Sequence, residues 1–152
     1  MTDKEKHIRD WIIEVSKKRP ELGHFAICPF ASSANFKIVE CNIDDVEPID
    51  GADVVIFIVE DSLTVQDIDQ WVDIYCKIYK NWDFFKDCGS YETFISGVQT
   101  NNGRYNLILA QPKEKLTQFR IKLAQTDYYS HWSDEYLREI LGEDYKILKK
   151  SG

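Results

Sequence analysis

The chain lacks the features that mark several large classes of protein. No apolar run approaches the roughly 18 residues of a membrane span. The first residues, Met-Thr-Asp-Lys-Glu-Lys-His, lack the basic-then-apolar layout of a secretory signal. At 152 residues, with 43% hydrophobic and 30% charged residues, the composition is that of an ordinary globular chain. We therefore expect one α+β domain over residues 1–152, cytoplasmic and without contact with a membrane.

Sequence motifs that name a reaction are also missing. There is no C-x-x-C pair, no glycine-rich phosphate loop, no G-x-S-x-G, no H-E-x-x-H and no EF-hand spacing. A three-histidine metal site would need all of His7, His24 and His131. We therefore predict no metal and no cofactor, and whether the chain is an enzyme is left open by its motifs.

Negative charge is concentrated in the middle third of the chain. Residues 40–92 hold fourteen acidic residues against three lysines, a net charge of −11, whereas the flanking thirds each carry +2. Such a segment repels nucleic-acid phosphates and attracts cations or basic proteins. We therefore predict no direct binding of nucleic acid, and a basic protein or a small molecule as partner. The alternative is a solvated face that only keeps the protein soluble.

Apolar spacing predicts the helices and strands. Thr2-x-x-Glu5 has the form of a capping box for a helix that ends at Pro20. Asn101-Asn102-Gly103 predicts a hairpin between two strands, because Asn and Gly tolerate positive φ. The predicted strands are 36–42, 54–59, 91–99 and 105–111, and the later helices are 65–82, 112–124 and 133–141. This order predicts a mainly antiparallel four-stranded sheet with helices packed on one face, such as a permuted ferredoxin-like sandwich.

Two short motifs resemble an uncharacterised bacterial domain family. Its members carry W-x-x-x-V on an N-terminal helix, then L-C-P-F-A, then an α+β body. Here Trp11 to Val15 and Ile27-Cys28-Pro29-Phe30-Ala31 match that opening, and Leu137-Arg138-Glu139 is similar to a later run. The histidine that the family carries in its later strand region has no counterpart in residues 94–99. The resemblance implies an α+β fold, and because the family has no established activity it implies no function.

The Cys-Pro-Phe-Ala stretch supplies the first candidate site. Cys28 precedes a proline in an irregular segment, and His24 lies four residues earlier, where it would serve as a base or a second metal ligand. With His131, these residues form the candidate catalytic set. The alternative is that Ile27, Cys28 and Phe30 fill the core beneath a loop, as we expect of Cys41, Cys76 and Cys88.

A run of polar and aromatic residues between two predicted helices supplies the second candidate site. Asp127, Tyr128, Tyr129 and Trp132 surround His131 and would bind a ring-shaped ligand by stacking and hydrogen bonds. The alternative is that these rings pack the connection, because Tyr and Trp offer a large apolar area with one polar group.

Three classes of function are compatible with these observations. The preferred one is a binding module whose acidic central face meets a basic protein or a cation. The alternatives are a small-ligand enzyme using Cys28 with His24 and His131, and an acidic inhibitor that imitates nucleic-acid charge. Binding through exposed charge weakens steeply with salt, whereas an enclosed polar site weakens much less. The sequence does not give the oligomeric state.

Overall fold

The protein is built around a four-stranded sheet in a computed structural model that describes residues 2–19, 25–26, 34–89, 94–95, 98–99, 101–126 and 128–146. Its elements follow in the order α1 (Asp3–Val15), β1 (Lys18–Arg19), β2 (Phe25–Ala26), β3 (Phe36–Glu40), β4 (Val54–Ile58), α2 (Val65–Ile78), β5 (Trp82–Asp87), β6 (Phe94–Ile95), β7 (Val98–Gln99), β8 (Leu107–Pro112), α3 (Lys113–Ala124) and α4 (Asp134–Leu141). Short 3-10 helices occupy Ile43–Asp45 and Tyr128–His131. Among these described residues, no helix has the length and apolar character needed to cross a membrane.

The strand order in the central sheet is β3-β4-β8-β5. Strands β3 and β4 are parallel, and β8 pairs antiparallel with both β4 and β5. The α+β class and the mainly antiparallel four-stranded sheet are therefore confirmed. The parallel pair lies at one edge of the sheet, and the permuted ferredoxin-like arrangement stays unconfirmed.

Strand β4 explains why the sheet is covered on both faces. All five of its residues are buried. Val55 and Phe57 join the cluster that includes Ile68 of α2, whereas Val54 and Ile56 join the cluster that includes Ile8 of α1. An apolar run without alternation is typical of a strand buried on both sides. The helices are therefore divided between the two faces, which corrects the expectation of a single helical layer.

Helix α2 begins at a complete capping box. Thr64 Oγ1 accepts from the backbone N of Asp67, and an Asp67 carboxylate oxygen accepts from the backbone N of Thr64. The helix ends at Ile78, four residues before the predicted end at Trp82. A turn after Tyr79 returns the chain to the same apolar cluster, which Tyr79 and Trp82 both contact. Helical spacing of apolar residues therefore continues past the helix itself.

The predicted hairpin around Asn101-Asn102-Gly103 is wrong. Gly103 has the expected positive φ of 74°, but β8 begins at Leu107 and pairs with β4 and β5, whereas β6 and β7 pair with each other. The segment after the turn packs closely against Gly89, two residues beyond the end of β5. A side chain at this position would not fit, because its Cβ would lie 2.4 Å from the Arg104 carbonyl carbon. The fourth strand is therefore Trp82–Asp87.

Candidate functional site

Two of the three candidate catalytic residues lie outside the part of the chain that the structure describes. Cys28, His24 and Asp127 fall outside the described residues. His131 ends the 3-10 helix Tyr128–His131, but its side chain also lies outside the description. The enzyme built on Cys28, His24 and His131 therefore stays a prediction.

The aromatic residues of the second candidate site pack against one another. The ring centroids of Tyr128 and Tyr129 lie 5.0 Å apart, and Trp132 lies 5.4 Å from Tyr128 and 5.2 Å from Tyr129. Tyr136 of α4 continues the cluster at 4.9 Å from Trp132. These contacts are those of rings that fill a helix connection. Ligand contact at Tyr128, Tyr129 and Trp132 stays a prediction.

The cysteines of the described part of the chain are free thiols in poor positions for nucleophilic chemistry. Cys88 is buried, and Cys41 and Cys76 pack against the cluster beneath α2. Burial, with the nearby carboxylates, raises the pKa of the Cys41 thiol to about 11, and burial also raises the pKa of Cys88. Both thiols are therefore protonated at neutral pH, which argues against a role as nucleophile.

An acidic corner forms where the parallel strands β3 and β4 end. We define it as Glu40, Asp44, Asp45 and Glu60. The backbone N of Ile43 donates to Glu60 Oε1 at 2.7 Å, which brings the two chain segments together. Three of the four carboxylates, those of Asp45, Glu60 and Asp44, add to the rise in the Cys41 pKa. This corner therefore carries a concentrated negative field.

The acidic corner lacks cationic partners among the described residues, as Glu47, Asp50, Asp67 and Asp87 also do, whereas other acids of the middle third have one. In the described part of the chain, no lysine or arginine forms an ion pair with Glu40, Asp44, Asp45 or Glu60. Five carboxylates elsewhere are paired, namely Asp53 with Lys115, Asp61 with Lys4, Asp69 with Lys86, Asp73 with Lys77 and Asp83 with Lys113. The paired acids are distributed over α2, β5, the residue before β4 and the connection from β4 to α2. This distribution does not favour a surface that imitates the regular charge of nucleic acid.

The acidic residues of the described part of the chain do not form a metal site. Across the residues that are described, no group of three or more His, Cys, Asp or Glu side chains is arranged to hold one. The acidic corner is therefore better suited to a partner with several spread positive charges than to a single cation.

A groove of about 450 Å³ lies on the face of the sheet that α1 covers. Trp11, Ile12 and Val15 of α1 line it, and Tyr136 and Ile140 line it from α4. Its floor is the α1 face of the sheet, formed by Phe36, Val54, Ile56, Phe85 and Leu109. The groove continues around edge strand β5 to Val72 and Phe84 on the α2 side. Its volume and apolar lining are typical of a small-ligand pocket.

Asp87 is one of the polar residues that line this groove. The backbone N of Asn102 donates to Asp87 Oδ1 at 3.0 Å, and Asn102 Nδ2 donates to the same oxygen. Burial nevertheless raises the pKa of Asp87 to about 6, because the loss of water outweighs these two donors. The carboxyl is mostly ionised at neutral pH, yet no described residue forms an ion pair with it.

Asn102 holds the segment around Asp87 in place. Its Oδ1 accepts from the backbone N of Arg104 and of Tyr105, and its Nδ2 also donates to the Tyr105 carbonyl at 2.8 Å. Its own carbonyl accepts from His7 Nε2 of α1 at 3.2 Å. One asparagine therefore joins α1, β5 and the start of β8 around Asp87.

A buried ion pair closes the side of the groove near α3. Arg120 Nη1 lies 3.0 Å from Asp144 Oδ2, and Arg120 Nη2 donates to the Ile140 carbonyl at 3.0 Å. Thr117 Oγ1 donates to the same carboxylate. Burial raises the pKa of the neighbouring Asp83, against the lowering effect of Lys113 and Arg120. Arg120 is therefore satisfied within the protein.

The sequence analysis predicted neither the groove nor a role for Asp87. Asp83, Phe85 and Asp87 alternate along β5 and share one face of it, which is a strand pattern. The adjacent Phe84 and Phe85 masked this alternation, and residues 91–99 were predicted as a strand instead.

No family model, curated protein or solved structure matches this chain. The resemblance through Trp11 and the Cys28-Pro29-Phe30-Ala31 stretch therefore stays a prediction.

Proposed function

We propose that the protein is a cytoplasmic binding module whose acidic corner contacts a basic protein. The observation that carries the proposal is the cluster of Asp44, Asp45 and Glu60, with which no lysine or arginine among the described residues forms an ion pair. Its charges add to burial, the main cause, in raising the pKa of the Cys41 thiol. Exposed carboxylates without cationic neighbours favour encounter with a basic surface.

The immediate surroundings of the corner support a protein partner. Val46 and Ile43 are buried beside the exposed Asp44 and Asp45, so the segment that carries the charges is anchored. Tyr75 Oη of α2 donates to the Ile43 carbonyl at 2.6 Å, which fixes the segment further. An anchored charged surface loses little conformational entropy when a partner binds.

The test is a nuclear magnetic resonance titration of the ¹⁵N-labelled chain with an octa-arginine peptide. We expect the amide signals of Cys41 to Asp45 and of Glu60 to shift, and binding to weaken steeply with salt. The Asp44→Asn/Asp45→Asn variant should bind the peptide about fivefold more weakly.

The matched control is Asp69→Asn/Asp73→Asn, which removes the same charge from exposed, paired aspartates of α2. We expect this control to retain the affinity to within about twofold, because neither carboxylate belongs to the corner. Equal weakening by both variants, or shifts scattered over all acidic residues, would contradict the proposal.

A further inference from the structure

The groove beside β5 presents one carboxylate oxygen that the protein leaves without a hydrogen bond. Both Asn102 donors reach Asp87 Oδ1. Asp87 Oδ2 has no partner among the described residues. A partly buried carboxylate oxygen without a donor is unfavourable, and a bound donor or cation would relieve that cost.

The apolar residues that line the groove favour a ligand with an apolar or aromatic portion. Trp11, Phe85 and Tyr136 offer aromatic surface, and Ile12 and Val15 add aliphatic surface. Aromatic faces attract cations as well as apolar groups, so they suit a positive group carried on an apolar body.

The charges around the groove disfavour an anion. Arg120 forms an ion pair with Asp144, and Lys86 forms one with Asp69 on the α2 side of β5. The acidic residues that line the groove besides Asp87 are Asp69 of α2, which pairs with Lys86, and Glu139 of α4. His7 of α1 donates to the Asn102 carbonyl and not to Asp87.

We propose that this groove binds an organic ammonium ion, with the protonated amine at Asp87 Oδ2 and an aromatic or aliphatic body along Trp11, Phe85 and Tyr136. The site is separate from the acidic corner, so the two proposals stand or fall independently. The unpartnered oxygen gives the amine a charge-assisted hydrogen bond in a site largely shielded from water.

The test compares three probes that share one ring system: naphthylethylamine, naphthylethanol and naphthylacetate. Each is titrated into the ¹⁵N-labelled full chain, and the signals of Phe85 to Cys88, of Asn102 and of the Trp11 indole are followed. At about pH 7.5 we expect the amine to bind about tenfold more tightly than the alcohol, and the carboxylate to bind most weakly. At about pH 5 the advantage of the amine should fall about tenfold, because most Asp87 is then protonated.

Two variants separate the carboxylate from the apolar lining. Asp87→Asn should reduce the affinity for the amine to that of the alcohol and leave the alcohol unchanged. Phe85→Leu should weaken the amine and the alcohol in parallel, because it alters only the surface along the body. The control Asp44→Asn/Asp45→Asn should leave amine binding unchanged and exclude attraction to the acidic corner.

Several results would overturn this inference. They are equal affinity of the wild type for all three probes, unchanged amine binding in Asp87→Asn, and shifts confined to residues outside the groove. Failure of the amine to bind saturably would overturn it as well.

Discussion

The two faces of the central sheet are both apolar but are covered by different helices. On one face, α2 packs Ile68 and Tyr75 onto Phe57 and Phe84, and the rings of Tyr75 and Phe84 lie 5.7 Å apart. On the other face, α1 and α4 leave a groove of about 450 Å³ over the strands. Ile8, Val54 and Ile56 on the α1 face are fully buried, so both faces stabilise the fold, and the contrast between them lies in the groove beside α1.

The largest expected effect comes from a matched pair of truncations, one on each face. Ile68→Ala should lower the free energy of unfolding by about 4 kcal/mol, because Ile68 is fully buried and leaves a cavity. Ile12→Ala should cost only about 1 kcal/mol, because Ile12 is partly exposed and lines an existing groove. Urea denaturation followed by circular dichroism measures both values. Equal losses for the two variants would remove the contrast between the faces.

The next largest effect on stability is expected at Asn102, which joins the segment around Asp87 to the rest of the fold. Asn102→Ala should lower the free energy of unfolding by about 3 kcal/mol, because it leaves the buried backbone N–H of Tyr105 without an acceptor. It also removes a donor from Asp87. The control is Asn42→Ala, at an exposed residue whose side chain makes no cap hydrogen bond, with an expected change within about 0.5 kcal/mol. Similar unfolding midpoints for the two variants would show that Asn102 does not hold this region.

Local patterns in the sequence predicted the helix starts and the central strand. The cap at Thr2 lies where expected, α2 and α4 begin within one residue of their predicted starts, and β4 is the buried strand that its apolar run indicates. These features depend on residues close in the chain, so the sequence contains them directly. The pairing of β8 with β5 depends on residues 20 to 30 positions apart, and turn signals at Asn101-Asn102-Gly103 favoured a closer partner.

The candidate site was harder to predict than the fold, because it depends even more on contacts between residues distant in the sequence. Asp87 was counted only as one of fourteen acids, because its burial is set by the packing of α1, β8 and the segment at Asn102 around it. The excess of charge at residues 40–92 was visible from composition. Which of those acids lack a cation depends on distant lysines such as Lys4 and Lys115, which only the fold brings close.

The last prediction compares two aspartates that both accept a hydrogen bond from an asparagine backbone N. Asp53 Oδ2 accepts from Asn35 at 2.8 Å and lies 2.8 Å from Lys115, which holds its pKa below the usual range. Asp87 accepts from Asn102 without any cation, and burial raises its pKa to about 6. The two carboxyls should therefore change stability with pH in opposite directions.

For Asp87 the folded state holds its proton to a higher pH than the unfolded state. Stability is therefore lost as pH rises from about 4 to about 6, by roughly 3 kcal/mol. Asp87→Asn should gain that amount relative to the wild type across this window and keep it above pH 6. Asp53→Asn should instead lose stability at neutral pH, and this loss should shrink as pH falls toward and below the usual aspartate pKa. Urea titrations at several pH values measure both differences. A pH-independent difference for Asp87→Asn would mean that its carboxyl is hydrated, and the groove would then lack the shielded charge that a bound amine requires.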